Sequence, residues 1–424
     1  VASLAIVTAS VSYDSGNSDN VNLIAYRPKD MRMNSSRFEN TFNVEQNAVD
    51  SYGGSLLFSS GGIRFSSLDL LKSEFEISNR NRIKKPLDFL KRHNIHRQTF
   101  NDYLKKISQL NILVIGDVII DEYVACDALG MSREDPTLVV SPNTNNKFLG
   151  GAGIVAAHAS SLGANVQFYS IVGDDENAKF ALEYLKKYAV NTHLLTDKTR
   201  PTTLKQRFRV DDKTLLRVNY LRQYEISKKL QDEMWQELRP ILKEQDLVIF
   251  SDFNYGCLPQ ALVDSISNYC LENGIKMVAD SQSSSQTGDV SRFKDMQLLV
   301  PTEREARIAL RNQQDGLVVL IEKLSKRARA NNIILKLGTD GALLYMHDQE
   351  NLPQIDRIPA LNLSPRDVIG AGDSMLIGSS MALAIPGVNP WEAAILGSIF
   401  SALQVSQVGN IPLTLDQVLH ELEA

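Results

Sequence analysis

Cysteine is scarce in this chain: Cys126, Cys257 and Cys270 are three residues, far apart, among 424. They are too few and too scattered for a disulfide framework or a thiolate metal site, and they fit a reducing, cytoplasmic setting. The six histidines are equally dispersed. The pair in His93-Asn-Ile-His96 sits among Lys84, Lys85, Lys91, Arg92 and Arg97, which reads as a solvated basic face rather than a metal site. Long apolar runs are also missing, since none approaches the ~18 residues of a membrane-spanning helix, so no membrane partner is expected. The opening Val1-Ala-Ser-Leu-Ala-Ile-Val7 has no basic region before it and reads as a strand. A start of this kind fits a fragment or a processed product equally. Excess positive charge is absent too: the net charge is -5 and the pI near 5.8. That argues against a broad grip on nucleic acid and leaves room for a small basic pocket around a phosphorylated metabolite.

What is present is enough chain for two or three domains with ordinary apolar and charged content. The first hundred residues are polar and Asn/Ser-rich from Asp14 to Asn47, strand-like at Ser55-Leu-Leu-Phe-Ser59 and basic from Arg80 to Arg97. This reads as an incomplete domain followed by a linker, with a connecting or docking helix between Pro86 and Leu104. From Asn111 onward, short apolar runs alternate with longer amphipathic segments. Strands are expected at Ile112–Gly116, Val166–Ile171, Leu247–Phe250, Met277–Ala279, Leu298–Val300 and Ile333–Lys336. Helices are expected at Asn177–Tyr188, Lys228–Leu242, Pro259–Asn273 and Val318–Ala330. Continuous apolar strands suit a sheet buried on both faces, so the fold class is α/β with a mainly parallel sheet. One stretch breaks the alternation: Thr202–Val210, the polar Asp211-Asp-Lys, then Thr214–Val218 read as a β-hairpin. A lid over a bound substrate is the preferred reading, given Lys205, Arg207, Arg209 and Arg217, and an edge extension of the sheet is the alternative.

Two glycine motifs carry chemistry. Asp367-Val-Ile-Gly370-Ala371-Gly372-Asp373-Ser374 precedes a small-residue helix. Its glycines let backbone N–H groups point outward at a helix start, which makes an anion hole. Asp373 then falls in the first turn as a general base for an attacking hydroxyl, and the helix start is expected to keep it ionised. A weak carboxylate base suffices for phosphoryl transfer, which depends mainly on positioning and charge neutralisation. A lone Gly-x-Gly-Asp would be explained as well by an Asp capping a helix. The second motif, Gly150-Gly151-Ala-Gly153 before Ile154-Val-Ala-Ala-His158, allows close backbone approach or tight helix packing. It is not a P-loop, because no Gly-Lys-Ser/Thr ends it, and not a dinucleotide fingerprint, because it does not directly follow a strand such as Ile112–Gly116.

Taken together and in order, Ile115-Gly-Asp117-Val-Ile-Ile-Asp121, Gly150–Gly153, Val172-Gly-Asp174-Asp175, Lys336-Leu-Gly338-Thr-Asp-Gly341 and Asp367–Asp373 resemble the PfkB, or ribokinase-like, carbohydrate kinases. Within that superfamily the chain looks most like kinases of the anomeric hydroxyl of D-glycero-D-manno-heptose 7-phosphate, on Gly116–Tyr123, Lys205-Gln-Arg207 with Leu216-Arg-Val218, and Phe250-Ser-Asp-Phe253. The resemblance implies a ribokinase-like sheet with a β-lid, ATP and Mg²⁺ as cofactors, and a sugar or sugar phosphate as partner. It implies that Asp373 is the base, with Gly370, Ala371 and Gly372 around the transferred phosphoryl group. Asp121, Gly150 and Gly151 would meet the sugar, and Lys205 and Arg207 its phosphate. Lys336, Gly338, Gly341 and Asp367 would lie along ATP, and Glu305 would organise Mg²⁺ through water. Pairing of two copies through the lid is an option.

The chain also departs from the family's pattern. It has Gly153-Ile154 where Gly-Gly-Ala-Ala-Asn is frequent, and Ser251-Asp-Phe-Asn-Tyr255-Gly256 where the heptose kinases tend to read Ser-Asp-Tyr-Gly-Lys-Gly, losing a cation. It has Asp280-Ser281-Gln282 for Asp-Pro-Lys, and Thr302 for the Asn of Asn-x-x-Glu. These leave the reaction intact and put the acceptor in question. Asn47–Leu71 is similar to the end of a cytidylyltransferase-like domain, but the His-x-Gly-His element of such domains does not occur. The resulting division is a partial cytidylyltransferase-like segment at 1–80, a basic helical linker at 81–109 and a kinase at 110–424 with its lid at about 201–220. Alternatives are a kinase of another sugar or nucleoside, a bifunctional kinase/nucleotidyltransferase truncated at its N-terminus, and a non-catalytic ligand-binding protein of this fold.

Overall fold

The computed structural model describes residues 7–10, 22–25, 31–34, 55–58, 83–210, 213–283, 288–347 and 353–423. The chain separates into two compact units, Val1–Asn79 and Arg80–Ala424. In the first, β1 (Val7–Ser10) pairs antiparallel with β2 (Asn22–Ala25), and β3 (Met31–Asn34) pairs parallel with β4 (Ser55–Phe58). β4 is the strand expected at Ser55. The expected opening strand overlaps β1 only at Val7, and the rest of it lies outside the described residues, as does most of Asn47–Leu71.

In the second unit, β5 (Asn111–Gly116) runs into β6 (Val118–Met131) and β7 (Leu138–Gly151), which leave the main sheet. β8 (Asn165–Val172) and β9 (Asn191–Thr196) return to it, and β10 (Thr203–Val210) and β11 (Lys213–Tyr220) leave it again. β12 (Leu247–Asp252), β13 (Lys276–Ser281), β14 (Leu298–Leu299), β15 (Asn332–Lys336), β16 (Ala342–His347) and β17 (Pro353–Ile358) complete it, in the order β17-β16-β15-β14-β13-β12-β5-β8-β9. Every pair from β9 to β15 is parallel, and β16 and β17 form an antiparallel edge. β12 is buried at every position, as its unbroken apolar run requires in a sheet covered on both faces. The six strands and four helices expected from Asn111 onward all form, within two residues at each end.

The hairpin is not an edge extension of the main sheet. β10 pairs antiparallel with β11 and parallel with β6, and β6 pairs antiparallel with β7, giving a separate four-stranded sheet in the order β11-β10-β6-β7. The sequence pattern did not foretell β6 and β7, because their outer halves are exposed and carry turn-forming residues such as Gly130 and Asn143 to Asn146. Consequently Gly150 and Gly151 are the last two residues of a strand, but one of the smaller sheet.

The segment read as a linker is part of this unit's core. Helices Leu87–Arg92 and Arg97–Ile107 bury Phe89, Phe100, Leu104 and Ile107. The basic face is solvated at Lys84, Lys91, Arg92 and His96, as expected, whereas His93 is drawn inward: its Nε2 lies 2.7 Å from Asp356 Oδ2, and its ring stacks 4.0 Å from that of Trp391. No helix among the described residues is long and apolar enough to cross a membrane. Phe100→Ala is expected to reduce the unfolding free energy by roughly 3–5 kcal/mol, the cost of an aromatic-sized cavity. Urea denaturation followed by tryptophan fluorescence measures this, and a loss near zero would place the helix outside the cooperative core.

Candidate active site

The C-terminal ends of β5, β12, β13 and β15 meet the start of helix Ala371–Ala384 beneath the smaller sheet, and a cavity of about 630 Å³ opens there. Gly370 precedes the helix with φ 79°, a left-handed conformation natural to glycine, and Asn410 Oδ1 occupies the space a side chain would need. Gly370, Ala371, Gly372 and Asp373 all line the cavity. The orphan amides of a helix start therefore face it.

Asp373 is 6 % exposed. Gln282 Nε2 donates to its Oδ1 at 3.0 Å. The helix start does not dominate its ionisation as expected. Burial, and next the Asp280 carboxylate, push its pKa up to about 7, against the opposing pull of Lys336. A base poised near neutrality is better matched to proton transfer than an ordinary carboxylate. Lys336 Nζ bridges this corner, 2.8 Å from Asp280 Oδ2 and 3.1 Å from where a Cβ on Gly372 would stand.

The other wall comes from the smaller sheet. Asp121, on β6, is buried and paired with Arg207 on β10. Across the β6–β7 ladder, Gly150 leaves the space that the Asp121 carboxylate fills, so Gly150 makes room for Asp121 while Gly151 lines the cavity. Lys205, 5 % exposed, holds its ammonium 4.9 Å from the Phe253 ring centre and 5.2 Å from that of Tyr255. Aromatic faces partly replace the hydration such a buried cation loses. Arg207 and Arg217 also line the cavity.

On the third side, Gly338 and Gly341 have φ of 62° and 86° and border the cavity with the 359–363 stretch. Glu305 closes a capping box: Oε2 accepts from Thr302 N–H at 2.7 Å, and Oε1 accepts from Ser283 N–H at 3.0 Å. Thr302, in place of the family's Asn, is the other half of that box. Asp367 does not line the cavity. Its carboxylate accepts from Tyr123 Oη at 2.9 Å and from Gly409 and Ile369 N–H at 3.1 Å each. It ties the helix-start loop to β6.

Gln282, Asn410, Arg217 and Asp280 border or support the site without having been selected from sequence as site residues. Asp280 and Gln282 had two available signals: their place at the family's Asp-Pro-Lys, and the end of a buried strand at the carboxyl edge of a parallel sheet, where ligands bind. Asn410 comes from a loop far along the chain and carried none.

A glycine-capped helix start bearing a buried carboxyl pushed toward neutrality, at the carboxyl edge of a mainly parallel sheet and under a separate β-sheet, defines a group-transfer site of the kinase type. The chain belongs to the pfkB family of carbohydrate kinases, whose profile matches residues 109–416; these are phosphotransferases acting on sugar hydroxyl groups. Curated relatives include the bifunctional protein HldE of a Nitratiruptor species, 30 % identical over 313 residues, and that of Campylobacter fetus subsp. fetus, 31 % identical over 307. These alignments span 72 % and 71 % of this chain and 64 % of each relative's length. Among solved structures, phosphofructokinase-2 from Escherichia coli in complex with potassium matches with a TM-score of 0.60 at 14 % identity, covering 74 % of this chain and 98 % of that one. Ribokinase from Thermotoga maritima matches with 0.56 at 21 % identity, covering 74 % and 100 %. Both have the ribokinase-like fold of this chain.

The raised pKa of Asp373 has a consequence for stability. The unfolded carboxyl ionises near 3.8 and the native one near 7, so the cost of ionising the native group builds as pH rises between those values and is constant above. Asp373→Asn is therefore expected to raise Tm above pH 7, with the gap to the wild type closing toward pH 4. Differential scanning calorimetry across that range measures it.

Proposed function

We propose that this chain transfers the γ-phosphoryl group of ATP to the anomeric hydroxyl of D-glycero-D-manno-heptose 7-phosphate. The observation that carries this reading is one cavity lined both by a carboxylate poised near neutrality at a glycine-capped helix start and by three lid cations, Lys205, Arg207 and Arg217. A neutral sugar offers such cations only hydroxyl acceptors, whereas a phosphorylated acceptor supplies the opposite charge. The similarity to HldE proteins supports the heptose.

In this reading Asp121 orients the acceptor, held by Arg207. Asp373 takes the hydroxyl proton as the oxygen–phosphorus bond forms and the bond to the departing ADP breaks. The amides at Gly370–Gly372, with Lys336 beside them, neutralise the charge on the transferred group. Gly338 and Gly341 flank the nucleotide. The Glu305 oxygens each accept one backbone N–H and keep a second lone pair, and the neighbouring Asp280 Oδ1 is buried without a hydrogen-bond partner among the described residues. These fit a hydrated Mg²⁺, which would neutralise the nucleotide phosphates.

Segment 1–80 we take as part of a cytidylyltransferase-like domain, on the similarity of Asn47–Leu71. The lid presents Leu215, Leu216 and Tyr220 on its exposed outer strand β11, and that apolar edge suits pairing with a second lid.

Asp373→Asn is expected to remove most turnover, by a factor of about 10² to 10⁴, while sparing ATP binding; near-normal turnover would refute the base. ADP release measured over a panel of sugars and sugar phosphates identifies the acceptor, and failure on every heptose phosphate while another acceptor reacts would refute the heptose. Lys205→Met is expected to raise KM for a phosphorylated acceptor by about tenfold or more, leaving KM for ATP near the wild-type value in the same assay.

A further inference from the structure

Gln282 stands at the end of β13, where three successive side chains are committed to three different partners. Asp280 takes Lys336 at 2.8 Å, Ser281 Oγ donates to Asp252 Oδ2 at 2.8 Å, and Gln282 Nε2 donates to Asp373 Oδ1 at 3.0 Å. The backbone of Gln282 is pinned on both sides. Its N–H donates to Asp252 O at 2.8 Å, and its carbonyl accepts from Asn254 Nδ2 at 3.0 Å. Asn254 is itself fixed, with φ 59° in the left-handed region that Asn tolerates, its N–H on Asp252 Oδ1 at 3.0 Å and its Nδ2 also on Ser281 Oγ at 3.2 Å. Asp252, 1 % exposed, is anchored in turn by Arg292 at 2.9 Å. Asn254 and Gln282 are thus hydrogen-bonded to each other, and both stand where the chain departs from the heptose-kinase pattern.

We propose that Gln282, held by Asn254, is a positioning residue for Asp373: its amide fixes Oδ1 and so leaves Oδ2 as the oxygen that takes the acceptor's proton. This rests on the assignment of Asp373 as base. An unfixed carboxylate rotates about its Cβ–Cγ bond and presents either oxygen, whereas a donor on a doubly pinned backbone selects one rotamer. Being neutral, the amide fixes the base without imposing a charge on it. The charged groups acting on Asp373 are Asp280 on β13, Lys336 on β15, Asp121 on β6 and Lys205 on β10. Their balance leaves the base titrating near neutrality, and a cation at 282 would drag it down.

The test measures kcat, KM and the pH profile of kcat/KM, using whichever acceptor the wild type turns over fastest. Gln282→Met is expected to lower kcat about tenfold to a hundredfold with both KM values within about twofold, since positioning and not binding is lost. It also removes a donor that favours the ionised form, so the acid limb moves to higher pH. Gln282→Glu places a second carboxyl against Asp373, and its acid limb moves further in the same direction. Asn254→Gly keeps the left-handed backbone, removes the pin on the Gln282 carbonyl, and is expected to show a smaller fall in kcat. A wild-type kcat and acid limb in Gln282→Met, or a lowered Tm with an unshifted acid limb, overturns the proposal. If Gln282→Met does not fold, Asn254→Gly decides, and an unchanged kcat there is the overturning result. Asp373→Asn is the control: turnover by that variant overturns the base assignment itself, whereas an inactive Asp373→Asn beside an unaffected Gln282→Met overturns this inference alone.

Discussion

A carboxylate withdrawn from water must find a partner or keep its proton, and the carboxyl edge of this sheet withdraws several at once. Asp121 is paired with Arg207 and Asp252 with Arg292, while Asp280 is paired with Lys336 through Oδ2 only, and burial pushes its carboxyl up to about 6. Glu305 takes two backbone amides, and Asp117 takes three, from Phe253, Tyr255 and Cys257. Asp373 takes its hydrogen bond from a neutral amide, that of Gln282, and its carboxyl is pushed up to about 7. The titration of Asp373 is therefore set as much by how its neighbours are paired as by its own place on the helix. The elements around it serve those pairings: β15 delivers Lys336, β10 delivers Arg207, and the turn after β12 wraps its amides around Asp117.

That dependence explains what could be read from sequence. The strands at Ile112, Leu247 and Ile333 were legible because local apolar runs in an α/β chain have one stable use, and Gly370 to Asp373 because a glycine turn before a helix is a local event. The hairpin at Thr203–Tyr220 was legible from its alternation, but its partner β6 was not, since pairing across some eighty residues leaves no local trace. The titration of Asp373 was misjudged because the helix start is local and visible, whereas Asp280, ninety-odd residues away, is not. The partners of the Asp367 carboxylate, Tyr123 and Gly409, were hidden for the same reason, since they come from distant segments.

The departures from the family pattern also read differently once placed in space. Tyr255 loses a cation from the loop after β12, yet its ring and that of Phe253 form the floor on which Lys205, from the lid, rests its ammonium. Thr302 gives up an amide but completes the capping box that fixes Glu305. Asn254 and Gln282 are bonded to each other. Replacements that look independent along the chain thus exchange one set of polar contacts for another within single clusters. Residues in one network are expected to be non-additive when changed together.

The bond from Tyr123 to Asp367 joins the lid to the helix-start loop, and it differs from the base in how it responds to acid. Burial, and next the Asp367 carboxylate, hold the Tyr123 phenol far above its ordinary range, so it remains a donor at every pH at which Asp373 changes its proton. Mechanical connection and chemical competence are thus assigned to groups that titrate in separate windows. Protonation of Asp373 just below neutrality therefore leaves unchanged the phenol that links the smaller sheet to the helix-start loop.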